Sequence, residues 1–199
     1  STAPTSSSLG AYGGIVGGSI DTNTKLLLNF DRGGGKDIED SSNSGGTGHK
    51  FAVSNASIKS SPFGDGKSAM YFSGGTDRAV VPNHGDFGVG DNSTKNPWSL
   101  DYWVAPDTSV SGGIVCICGI SGTDAASNNS ALVTYIDGSQ NFSWFMDDDS
   151  TDDWDMASGA SGFIFTESLR WHHIAVTYGG SSDQNYRLFV DGILIKTVS

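Results

Sequence analysis

The chain is poor in almost everything that membranes, nucleic acids and redox chemistry require. No apolar run approaches the ~20 residues that cross a bilayer, so membrane insertion is not expected. Lys and Arg number 11 against 22 Asp and Glu, a formal charge of −11. Such a surface repels phosphate backbones and anionic lipid, which argues against a nucleic-acid partner. Cysteine occurs only as Cys116 and Cys118. Two residues apart on a strand, they share a face at roughly 7 Å, beyond the reach of an unstrained disulfide. Two thiols filling a core face are expected there. No window repeats apolar residues at i, i+3, i+4 and i+7, so almost no helix is expected. Without helices there is no setting for a phosphate-binding glycine loop, and no Ser or Cys nucleophile motif is present. Glutamate is confined to Glu39 and Glu167.

What is present is glycine, 28 residues of it, with 36% hydrophobic content over 199 residues. That combination suits one domain, or one domain and a tail, built of many short strands and tight turns. The richest pattern lies near the end. Trp171-His172-His173-Ile174-Ala175-Val176-Thr177-Tyr178 puts Ile174, Val176 and Tyr178 on one face and His173, Ala175 and Thr177 on the other. Tyr186, Leu188 and Val190 alternate in the same way against Arg187 and Phe189. Gly179 to Asp183 turns the chain between the two runs, and Asp191-Gly192 predicts a tight turn into Ile193-Leu194-Ile195. Further strands are expected at Lys25–Asp31, Phe51–Ser54, Asp77–Pro82, Trp98–Pro106 and Gly113–Gly119. Ala131–Ile136 and Asn141–Met146 predict a hairpin around Asp137-Gly138, and Phe163–Thr166 leads into the last hairpin. About ten or more strands with glycine turns specify a sandwich or barrel.

Several of these stretches carry a resemblance. Trp-His-His-Ile-Ala-Val-Thr followed by Arg-Leu-Phe-Val-Asp-Gly is similar to the penultimate hairpin of the laminin-G-like, concanavalin A-like jelly-roll family. The Leu-rich run closing on Phe30-Asp31, the Asp40-Ser41-Ser42 loop, the Phe63 to Gly74 stretch and the aromatic-Trp strand ending Ala105-Pro106 resemble it too. The resemblance runs from about Thr24 to Ser199 and is strongest to the branch found in tailed-bacteriophage virion proteins. It implies an all-β, two-sheet antiparallel jelly-roll sandwich over residues 24–199, with an extended low-complexity N-terminal arm over residues 1–23. In the family further strands follow the Val-Asp-Gly hairpin, so truncation of the chain past Ser199 is expected.

Catalysis is not expected. Hydrolysis of a sugar bond, which this fold hosts elsewhere, needs two flanking carboxyl groups, and neither glutamate belongs to a pair on one strand. His172 and His173 face opposite sides of a strand and cannot share a ligand; structural roles at the sheet are expected for both. The densest constellation is Asp147 to Asp155, six carboxylates in nine residues. Asp147, Asp149, Asp152 and Asp153 are candidate calcium ligands, weighed against a solvated acidic loop, and no cofactor is otherwise required. Trp154 and Trp144 are candidate platforms for a glycan ring. In the arm, Leu9, Tyr12, Ile15, Val16 and Ile20 are candidate anchors for docking on a neighbouring subunit.

The opening Ser-Thr-Ala-Pro reads as an N-terminus left after initiator Met removal, and no secretion signal is visible. Together with the resemblance, this leads to an expected non-enzymatic virion surface protein: a capsid decoration, head fibre or short tail fibre. It would be made in the host cytoplasm, form a homo-oligomer, dock on other capsid or tail subunits and attach to host glycan. The alternative is an extracellular carbohydrate-binding module of a cellular protein, with a glycoside hydrolase as the remote one.

Overall fold

A computed structural model of the chain describes residues 23–30, 35–42, 48–61, 67–82, 84–87, 97–109, 115–121, 130–146, 160–180, 182–183 and 185–198. It falls into two units, Ser1–Phe87 and Gly88–Ser199. Among the described residues there is no α-helix, only a 3₁₀ turn at Gly85–Phe87. The architecture is an all-β jelly-roll sandwich of antiparallel sheets.

The first unit holds four short strands: β1 (Ala52–Ser54), β2 (Ser57–Ser60), β3 (Ser68–Tyr71) and β4 (Arg78–Val80). β1 pairs with β4 and β2 with β3. Its fully buried apolar residues, among those described, are Ala56 and Ile58. A buried carboxylate supplies what apolar packing does not. Asp40 accepts the backbone N–H groups of Leu27 at 3.0 Å and Ser42 at 2.9 Å on one oxygen. Its other oxygen accepts the Ser42 hydroxyl at 2.9 Å, the His49 N–H at 2.9 Å and the His49 ring Nδ1 at 2.7 Å. Burial by itself would raise the Asp40 pKa; the N–H donors of Leu27, His49 and Ser42 and the His49 ring reverse that and hold it at about 2. Gly48 stands at φ +69°, where a Cβ would lie 2.5 Å from the Asp40 carbonyl oxygen, so the loop tolerates glycine there and little else.

Of the strand expected over Lys25–Asp31, the described residues 25–30 form none. Leu28 makes a single antiparallel bridge to Asp40, and the Leu27 N–H is spent on the Asp40 side chain instead of a ladder. β2, with one apolar residue in Ser-Ile-Lys-Ser, was not expected as a strand.

In the second unit the alternation read from the sequence becomes a two-layer core. One sheet has the order β12-β11-β10-β5, from β5 (Trp98–Val104), β10 (His172–Tyr178), β11 (Tyr186–Val190) and β12 (Ile193–Val198). The other is β6 (Val115–Ser121), β7 (Ser130–Ile136), β8 (Asn141–Met146) and β9 (Ala160–Ile164), in sequence order. Ile174, Val176, Leu188 and Val190 of the first meet Leu132, Phe142 and Trp144 of the second, all at most 1% exposed. Each such side chain contributes about 1.5–3 kcal/mol by leaving water. Trp98, Leu100, Tyr102 and Val104 close the core from β5. The buried Thr134 hydroxyl is satisfied across the layers by the Tyr102 hydroxyl at 2.7 Å.

The turns follow local chemistry. Asp191 and Gly192 have φ of 52° and 80°, the two left-handed residues of a tight hairpin joining β11 to β12. The β7–β8 connection is longer than an Asp-Gly turn: Asp137 accepts the N–H groups of Ser139 and Asn141 at 2.8 and 2.9 Å, and Gln140 takes the left-handed position at φ 64°. β6 has a register shift between Cys116 and Cys118, which oppose the adjacent residues Tyr135 and Thr134. The side chains of the two cysteines lie outside what the structure describes.

Candidate functional site

The three β5–β10 pairs that face away from the core bring the chemistry together. His173 lies opposite Trp103, Ala175 opposite Asp101 and Thr177 opposite Ser99. Across the next ladder Ala175 faces Phe189 and Thr177 faces Arg187, and Phe189 in turn faces Leu194. Directly opposed residues share a sheet face, so these positions form one outer surface, aromatic at one end and polar at the other.

Trp103 is the centre of this surface. Its ring lies 5.1 Å from that of His173 at an interplanar angle of 37°, and 38% of the residue remains exposed. The imidazole thus lies against the indole while part of the tryptophan stays open to solvent. Asp101 is two residues along the same strand, hence on the same face. Neighbouring groups strip water from its carboxyl and push its pKa up, an effect that the positive charge of His173 partly offsets. An aromatic plate, a titratable ring and an acceptor carboxyl are thus grouped on one rigid sheet.

The inner side of the same strand pair behaves differently. His172 is buried, and its Nδ1 lies 2.8 Å from Asp191 Oδ2 while the Phe163 and Phe165 rings meet it edge-on. Asp191 Oδ1 accepts the His173 N–H at 2.9 Å. The two histidines therefore face opposite sides, as expected, and His172 is built into the sheet. A shallow depression beside it contains two carboxylates, Glu167 and Asp191. Glu167 is paired with Arg170 at 2.6 Å, and Asp191 uses both oxygens on the histidines.

Trp144 is a correction. It is 0% exposed in the core, packed between the sheets, so its indole offers no surface to a sugar ring. On β8 Phe142, Ser143 and Trp144 are all buried, so this strand is covered on both faces and its alternation gives no outward tryptophan. Asp147, Asp149, Asp152, Asp153 and Trp154 lie outside the described residues, as do Leu9, Tyr12, Ile15, Val16 and Ile20. Trp103 was not singled out from the sequence, although a signal existed: it occupies a polar phase of the Trp98-Leu100-Tyr102 alternation, where an aromatic has no core to fill. Among the described residues, those grouped tightly enough to hold a cation are His49, His84 and Asp86, in the first unit.

No curated protein and no solved structure matches this chain significantly. A laminin-G family model, described as concanavalin A-like lectin/glucanases superfamily, matches residues 73–199. That span includes β4 and every strand of the eight-stranded sandwich, and the chain belongs to the concanavalin A-like lectin/glucanase superfamily, with its carbohydrate-binding-like fold.

Proposed function

We propose that this chain is a non-enzymatic surface protein of a virus particle, a tailed bacteriophage in the first place, whose jelly roll attaches to host glycan through the outer face of the β5–β10–β11–β12 sheet. The observation that carries the glycan part is the exposed Trp103, braced by His173 beside Asp101. A pyranose ring has a flat C–H face that stacks on indole and a rim of hydroxyls that donate to a carboxylate; both needs are met within one strand. A carbohydrate-binding-like fold supports this reading. So does the engagement of Glu167 with Arg170 and of Asp191 with both histidines, since a glycosidase keeps one carboxyl ready to donate a proton to the leaving oxygen and a second ready to act as base or nucleophile. Stacking needs no cofactor; calcium at the Asp147 to Asp155 stretch is a second contributor to be tested by chelation.

The virion setting is supported by the resemblance of the Leu-Leu-Leu-Asn-Phe-Asp and Phe-Val-Asp-Gly segments to phage members of the family. The charge of −11 suits a partner other than the packaged nucleic acid. In this setting the chain acts as a homo-oligomer held by capsid or tail subunits. The two parts are tested separately. On a glycan array the wild type is retained and Trp103→Ala loses at least tenfold in affinity; equal retention of both proteins overturns the site. Mass spectrometry of purified particles is expected to recover the chain in stoichiometric amount. Its absence from every particle overturns the virion setting and leaves an extracellular carbohydrate-binding module.

A further inference from the structure

We propose that His49, His84 and Asp86 form a binding site for a divalent first-row transition ion, zinc above all, with Asp40 as the residue that orients His49. One donor atom from each of the three lies within 4.8 Å of the other two.

The argument begins with the tautomer of His49. Its Nδ1 lies 2.7 Å from Asp40 Oδ2, and Asp40 is held ionised by its N–H donors, so Nδ1 carries the proton. In the neutral ring the lone pair is then on Nε2. That atom points at Asp86 Oδ2, 3.4 Å away. His84 Nδ1 lies 3.0 Å from the same carboxylate oxygen and accepts the Asp86 backbone N–H at 3.2 Å, a long bond that its single lone pair gives up on turning to an ion. Two ring nitrogens and one carboxylate oxygen thus converge.

The spacing suits a small ion. Zinc bonds to nitrogen and carboxylate oxygen at about 2.0–2.1 Å, which places neighbouring donors in tetrahedral or octahedral geometry roughly 2.9–3.4 Å apart. The two nitrogen-to-carboxylate separations, 3.0 and 3.4 Å, fall within that range, and the ring nitrogens, within 4.8 Å of each other, can close on an ion through the exposed His84 side chain. Two imidazoles and one carboxylate favour a zinc-like ion over calcium or magnesium, which prefer all-oxygen shells. Asp40 behind His49 is the carboxylate–histidine–metal relay that fixes ring orientation and raises ligand basicity. The His49 and Asp40 side chains are 8% and 0% exposed, so the back of the site is rigid, while His84 at 52% leaves it open to solvent. Phe87 packs 4.6 Å from the His49 ring and walls one side. Lys25 Nζ is 4.0 Å from Asp86 Oδ1, the oxygen turned away from the two rings, so its charge does not occupy the converging point.

Bound there, an ion ties the chain at His49 to the 3₁₀ turn at Gly85–Phe87 and closes a long loop in the unit with the smaller apolar core. The test is calorimetric titration of the full, tag-free chain with zinc chloride, with calcium chloride as contrast. One zinc per chain is expected, with a rise in melting temperature and visible d–d absorption when cobalt replaces zinc. His84→Ala, on an exposed side chain, is expected to fold normally and to weaken zinc at least tenfold, and Asp86→Asn likewise. Asp40→Asn is expected to weaken it about 10–100-fold. Absence of zinc binding overturns the proposal. Binding that His84→Ala and Asp86→Asn leave unchanged overturns it too, placing the ion elsewhere on the chain. Calcium held as tightly as zinc, and lost in the same variants, overturns the ion class.

Discussion

The two units of this chain reach order by different physics. Gly88–Ser199 is held by area: eleven largely apolar side chains from both sheets form one buried cluster. Ser1–Phe87 is held by direction: one carboxylate, Asp40, organises Leu27, Ser42 and His49, while Ala56 and Ile58 are the buried apolar residues among those described. Burial is forgiving of exact position and indifferent to pH. A hydrogen-bonded hub is neither, because one lost partner leaves a buried polar group unsatisfied. Stability within one protein can thus answer to different variables in its two parts.

Breaking the apolar part gives the largest effect. Trp144→Ala removes a fully buried indole and should cost about 3–5 kcal/mol, read as a lower chemical-denaturation midpoint. Next is the hub. Asp40→Ala strands the N–H groups of Leu27, Ser42 and His49 and should cost about 2–4 kcal/mol. The hub also sharpens the contrast through pH. The folded-state pKa of Asp40, about 2, is below its ordinary 3.8, so its stabilising contribution is complete above the higher value. That contribution, roughly 2 kcal/mol, is lost as pH falls through the lower one. Stability curves between pH 5 and 2 should show this fall in the wild type and lack it in Asp40→Asn. The smallest change in stability belongs to the outer sheet face. Trp103→Ala should shift it by no more than about 1 kcal/mol, since the residue sits outside the core, and this separates the binding role proposed for it from any role in folding.

The same contrast governs what the sequence made visible. β5, β10, β11 and β12 were legible because alternate residues had to meet a core, and Asp191-Gly192 because two successive left-handed residues are rarely anything else. Lys25–Asp31 misled because a Leu-rich run predicts a ladder, whereas its hydrogen bond goes to a side chain thirteen positions away. Trp144 misled because a strand covered on both faces has no polar phase to mark the outside. The His49, His84 and Asp86 group has no spacing motif at all. Its members come from a loop and a 3₁₀ turn that only the folded chain brings together, so nothing in their order announces them.

The pairing of β5 with β10 also bears on how the molecule is made. β7–β8, β10–β11 and β11–β12 join neighbours in sequence and close in microseconds, as hairpins do. β5 reaches β10 only after the whole intervening chain has been gathered, a loop-closure cost that slows the step. The Trp103–His173 pair is therefore born late. During refolding, hairpin structure should recover ahead of the outer face, and a chain caught between the two would look largely folded while the face proposed for glycan was still unmade.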